Sequence, residues 1–111
     1  MCGFIGIIDF EKTTDLESNL KQSIDVIKHR GPDNQSILID KENGVYLGFN
    51  RLKIIDLSDQ SNQPFKSDDS QIILAFNGEL YNYKILRKEL RSEYQFKTES
   101  DTEVLLHCYQ K

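Results

Sequence analysis

The run Ile72-Ile73-Leu74-Ala75-Phe76 is apolar without interruption and stops abruptly at Asn77-Gly78. A strand of that kind is expected to be covered on both faces. The flanking segments supply strands and helices in an alternating order. Residues 2–9 predict a strand. Leu16, Leu20, Ile24 and Ile27 recur at helical spacing behind a Thr14/Glu17 capping box, which predicts a helix over 15–28. His29-Arg30-Gly31-Pro32-Asp33 ends that helix, because Gly and Pro are adjacent and the residue before Pro disfavours helix. Strands over 36–40 and 45–50 are joined through Asn43-Gly44, a pair suited to a tight hairpin, and a short strand is expected over 52–57. Residues 58–71, rich in Ser, Asp, Asn and Gln, read as a surface loop. A helix over 83–92 places Tyr83, Leu86 and Leu90 on one face. After an extended piece near 94–97, Ser100 and Glu103 form a second capping box that opens a helix to the chain end.

Composition bounds the partners. The 111 residues allow one domain at most, with 38% hydrophobic residues, five Tyr and six Phe for a core. A formal charge of −4 and no long basic run argue against nucleic acid or a membrane surface as the main partner. No segment reaches the roughly 18 apolar residues of a membrane span, and no signal-peptide pattern is present. Two distant cysteines do not make a disulfide framework, and the chain reads as cytoplasmic.

Several residues offer chemistry, each with a plainer structural reading beside it. Cys2 follows Met1 directly, so removal of Met1 would leave a thiol and a free α-amine on one residue, a nucleophile with its own base. As the first residue of an apolar strand it has a plainer reading, a small buried hydrophobe, and position alone favours that one. Asn77-Gly78 offers an amide side chain and an unobstructed main-chain N–H, suitable donors for an oxyanion, yet Asn-Gly is also a common turn. Arg51 interrupts an apolar strand pattern and suits a substrate carboxylate, although an outward-facing strand arginine is commoner. Asp101 in the first turn of the last helix complements the helix dipole whether or not it also meets an ammonium group, and Glu79 is a second acidic candidate. Cys2, His29, His107 and Cys108 lack metal-site spacing, so no metal is expected. Cys108 reads as a core residue and His107 as a helix-surface residue.

Taken together, five segments resemble one family in order: Met1-Cys2-Gly3-Phe4-Ile5-Gly6, His29 to Asp33, Arg51 to Leu57, Phe76 to Tyr83 and Ser100 to Leu106. They are similar to the class II glutamine amidotransferase domain of glutamine-hydrolysing asparagine synthetases. The resemblance implies an α+β fold, the N-terminal part of a four-layer αββα sandwich of the N-terminal nucleophile hydrolase kind, with mostly antiparallel sheets. It further implies that Cys2 attacks the glutamine side-chain amide and that Asn77 and Gly78 hold the oxyanion. Arg51 would bind the α-carboxylate and Asp101, helped by Glu79, the α-ammonium. The main chain around Leu52, Ile54 and Ile55 would line the pocket, and the His29 to Asp33 loop is assigned support without chemistry. Lys53 stands where the family commonly has Ser.

By the same resemblance, residues 1–111 are a partial type 2 amidotransferase domain whose second half runs beyond Lys111. The glutaminase step needs no cofactor. ATP and Mg are implied only for a synthetase domain that would receive the ammonia and is absent here. Glutamine and that domain or subunit are the expected partners, and exposed sheet edges would favour self-association. The alternatives are a non-catalytic remnant or binding subunit, and an amidotransferase of polysaccharide or secondary-metabolite synthesis. An ordinary α-amine is neutral in only about one molecule in seven at pH 7, so activity is expected at neutral to mildly alkaline pH.

Overall fold

The computed structural model describes residues 1–12 and 14–111. They divide into two compact units, Met1–Leu52 and Lys53–Lys111. All strand pairing is antiparallel, within a mixed α/β arrangement. Among the described residues no helix is long and apolar enough to cross a membrane.

The first unit is a three-stranded sheet with one helix on it. Strands β1 (Gly3–Ile8), β2 (Asn34–Asp40) and β3 (Val45–Arg51) lie in the order β1-β3-β2. The register pairs Gly3 with Asn50 on one side of β3 and Gln35 with Asn50 on the other. Helix α1 (Glu17–Val26) buries Leu20 and Ile24, and a Cβ on Gly48 would come within 3.1 Å of the Ile24 side chain. That small residue brings the helix close to the sheet. Asn50 is fully buried and donates through Nδ2 to the Ile24 carbonyl at 2.7 Å, while its Oδ1 accepts from Gln35 at 3.0 Å. The amide thereby satisfies a carbonyl in the last turn of α1, where no intrahelical donor remains. On the opposite face Phe49 is fully buried, its ring stacked parallel to that of Phe4.

The second unit packs two helices and a short hairpin. Strands β4 (Phe65–Lys66) and β5 (Ile73–Leu74) pair with Phe65 opposite Leu74. Helices α2 (Tyr83–Leu90) and α3 (Asp101–Gln110) contribute Leu90, Val104 and Leu106 to a core shared with Phe65. Arg87 of α2 is also buried: Nη1 donates to the Thr98 carbonyl at 2.7 Å and Nη2 to that of Ser100 at 3.1 Å. Its guanidinium stacks on Phe96, so this arginine props the approach to α3 from below.

Several sequence expectations are corrected here. The first helix is shorter than 15–28 and yields to a 3₁₀ turn at Lys28–Arg30. Its N-cap is Leu16, not Thr14, because Asp15 Oδ1 takes the Glu17 N–H at 3.1 Å. The β2–β3 connection has four residues, Lys41 to Gly44, rather than a two-residue turn. Gly44 adopts φ +67°, and a Cβ there would lie 2.0 Å from the Asp9 carbonyl oxygen, so only glycine fits. Residues 52–57 form no strand; Asp56 turns the chain at φ +49°. The loop over 58–71 contains a 3₁₀ turn at Asp59–Ser61 and strand β4. The run 72–76 is bridged only at Ile73–Leu74 and half-buried throughout, because β4 alone pairs with it in this unit. His107 is no surface residue: its side chain is 12% exposed, stacked on Tyr94 and edge-on to Phe96. Cys108 is half-buried rather than core.

Candidate functional site

In the first unit, antiparallel pairing carries the chain start to the end of β3. Pairing of Gly3 with Asn50 puts Cys2 level with Arg51 and Leu52. Cys2 Sγ accepts the Leu52 N–H at 3.3 Å and contacts the Leu52 carbonyl oxygen at 3.6 Å. Its carbonyl accepts from Arg30 Nε at 3.1 Å. The thiol is thus held by the main chain of Leu52, and the residue's backbone by a guanidinium. Met1 in front of it is 71% exposed. Arg51, expected either outward or on a substrate, is 4% exposed.

The loop over 29–33 explains how these groups stay in register. Gly31 passes so close to β3 that a Cβ would lie 2.2 Å from the Asn50 carbonyl oxygen. Asp33 N–H then donates to the Arg51 carbonyl at 3.1 Å. The resemblance gives this loop only a supporting part, and no local pattern in the sequence marks Arg30 as the partner of Cys2.

In the second unit a different group of residues converges. The chain leaves β5, reaches Asn77-Gly78, and is caught at Leu80, whose N–H donates to Asp101 Oδ2 at 2.9 Å. Asn77 is half-buried, Gly78 and Glu79 are exposed, and Asp101 is 6% exposed. A Cβ on Gly78 would sit 2.7 Å from the Phe76 ring, so glycine lets that ring fold beside the turn. Of the residues expected along a pocket wall, Ile54 is 70% exposed and Ile55 half-buried, both in the irregular stretch after β3.

The start of α3 fixes Asp101. Ser100 is the N-cap, its hydroxyl accepting the Thr102 N–H at 3.2 Å. Glu103 does not complete the expected capping box. Its carboxylate instead accepts the N–H groups of Lys97 and Thr98, each at 2.8 Å, and the Thr98 hydroxyl at 2.7 Å. The Ser100 N–H goes to Thr98 Oγ1 at 3.2 Å. Two acidic residues in the first turn also sit favourably in the helix dipole. A further tie comes from Asp56, whose Oδ2 accepts the Glu99 N–H at 2.6 Å and whose Oδ1 accepts that of Ser58 at 2.8 Å. Burial works to raise the Asp56 pKa, but the hydrogen bonds from Ser58 and Glu99 outweigh it and hold the carboxyl well below the ordinary range.

A separate cavity of about 860 Å³ in this unit is lined by Phe65, Tyr94, Lys97, Glu103 and His107, among others, and touches none of the candidate residues. Among the described residues no three His, Cys, Asp or Glu side chains are grouped to hold a metal ion.

The chain belongs to the glutamine amidotransferase domain family, whose model matches residues 1–111. It is 44% identical over 113 residues to asparagine synthetase [glutamine-hydrolyzing] 1 of Bacillus subtilis, covering 98% of this chain and 17% of that protein. A glutamine-hydrolysing asparagine synthetase of Arabidopsis thaliana is 35% identical over all of this chain and 19% of its own length. An amidase of Gibberella zeae is 41% identical over 81% of this chain and 13% of its own length. The chain therefore spans about a sixth of the length of the curated relatives it matches.

Proposed function

We propose that this chain hydrolyses the side-chain amide of glutamine to glutamate and ammonia. The observation that carries the reading is the seating of Cys2: the penultimate residue of a glutamine amidotransferase domain, with its sulfur held at 3.3 Å by the Leu52 N–H. With Met1 removed, the Cys2 α-amine takes the thiol proton as sulfur adds to the amide carbon. The oxygen becomes an oxyanion, for which Asn77 Nδ2 and the Gly78 N–H are the donors. The amine then gives its proton to the departing ammonia, leaving a thioester that water hydrolyses to glutamate and free thiol. Arg51 is assigned the α-carboxylate, and Asp101 with Glu79 the α-ammonium, with the main chain of Leu52, Ile54 and Ile55 along the substrate. Holding both α-groups fixes the amide at the sulfur, positioning worth several kcal/mol of barrier.

Finer parts of the proposal rest on the resemblance and on the names of the relatives. The ammonia would pass to a synthetase domain or subunit that uses ATP and Mg, in the cytoplasm, and the fold would be part of a four-layer αββα sandwich. The chain is similar both to asparagine synthetases and to an amidase, so an acceptor other than aspartate is the second reading. The half-buried edge of β5, beside an apolar groove lined by Ile72, Leu105 and Tyr109, suits association with further sheet.

The test is glutamate release from glutamine by the purified protein beside Cys2→Ala, with mass spectrometry of the N-terminus. Loss of Met1 and loss of activity in Cys2→Ala are the expected results. Retained Met1, or equal rates for the two proteins, would overturn the reading.

A further inference from the structure

We infer that Gln63 is a positioning residue for glutamine hydrolysis, setting the place of the Asn77-Gly78 donors relative to Asp101. The inference rests on the roles proposed above for those three residues.

Gln63 is 6% exposed, in a stretch otherwise read as polar surface loop. Its side-chain amide engages Phe76 twice: Oε1 accepts the Phe76 N–H at 2.6 Å and Nε2 donates to the Phe76 carbonyl at 3.2 Å. Nε2 also donates to Thr102 Oγ1 at 3.1 Å. The register explains the first pair. Phe65 faces Leu74 in the β4–β5 hairpin, so two residues further along each strand Gln63 faces Phe76. The intervening Pro64 has no N–H, and backbone pairing ends at Leu74. The Gln63 amide, carrying both a donor and an acceptor, substitutes for a strand neighbour at Phe76.

The consequence reaches the residues on either side. Asn77, Gly78 and Glu79 are suspended between two anchored residues, Phe76 on Gln63 and Leu80 on Asp101. Both anchors lead to the first turn of α3, one through Thr102 and the other through Asp101 itself. Oxyanion donors act at full strength only when fixed before charge develops, so slack at Phe76 would be read in the transition state rather than in substrate binding. Gln63 touches neither substrate nor reacting atoms in this scheme. It acts through the backbone of its neighbour.

The experiment compares wild type, Gln63→Met and Thr102→Val as full-length proteins, measuring kcat and KM for glutamate release. Rates are normalised to the fraction of molecules whose Cys2 is alkylated by iodoacetamide. Gln63→Met, similar in length but without the amide, is expected to lower normalised kcat by about 10- to 100-fold, with KM within about 3-fold. Thr102→Val removes the bond from Nε2 to Thr102 Oγ1 but leaves both bonds to Phe76, and is expected to give a smaller loss in the same parameter. In an Asn77→Ala background Gln63→Met should add less than it does in wild type, because one of the two donors it positions is gone. Unchanged normalised kcat in Gln63→Met would overturn the inference, as would a loss confined to KM or full additivity with Asn77→Ala. A wild-type protein no faster than Cys2→Ala would instead sink the glutaminase reading itself.

Discussion

The main chain of Leu52 seats Cys2 Sγ through both its N–H and its carbonyl oxygen, and this partner lies fifty residues away in the chain. The residue types at the candidate positions were legible in the sequence, since a penultimate Cys, an Asn-Gly pair and an interrupting Arg each announce a chemistry. Their holders were not. Arg30 and Gln63 sit in segments whose composition reads only as loop, and nothing in their local pattern reveals contacts with Cys2 or Phe76. The oxyanion assignment makes a direct prediction at this scale. Asn77→Ala should cut kcat by about 10²- to 10³-fold, with little change in KM, because the side-chain donor contributes only as charge develops. Steady-state kinetics on glutamine check it, and a loss appearing mainly in KM would reassign Asn77 to substrate binding.

Elements were predicted best where the pattern is long and amphipathic. Helices α1, α2 and α3 lie within the expected ranges because their apolar spacing follows the 3.6-residue turn. Strands β2 and β3 extend past their predicted ends, since pairing continues to Asn34 opposite Arg51 where composition has already turned polar. Caps were read only in part: Ser100 holds its place, while Glu103 is drawn away by the Lys97 and Thr98 amides. The residues before α3 are also tied by Asp56, and this gives the element a pH dependence. Its carboxyl is held well below the ordinary carboxylate range in the folded state, so its contribution to stability is complete above the usual aspartate pKa of about 4. The contribution is lost as pH falls below that value towards the lower folded-state pKa. Asp56→Asn should therefore flatten the acid limb of a stability-versus-pH curve measured by urea denaturation. An unchanged slope below pH 4 would contradict this.

At the scale of the whole molecule each of the two units carries its own core. Leu20 and Ile24 of α1 are buried almost completely in the first, and Leu90, Val104 and Leu106 in the second. Leu20→Ala should cost about 2–5 kcal/mol, because α1 is held close to the sheet at Gly48 and cannot collapse into the space left behind. A urea midpoint shift of less than about 1 kcal/mol equivalent would show that the helix relaxes instead. The sequence by itself determined the helices, the outer strands, the antiparallel hairpin of β2 and β3, and the family. The elements follow from periodicity and turn chemistry, and the family from the resemblance of five motifs in order, all of which are local or ordered along the chain. Only tertiary structure decided that residues 52–57 leave the sheet and that the run 72–76 is bridged at two residues. It alone showed Arg51, Arg87 and Gln63 to be buried. Those outcomes depend on which distant backbone groups satisfy which donors, as Leu52 does for Cys2 and Gln63 for Phe76, and pairings across tens of residues leave no periodic trace in the chain.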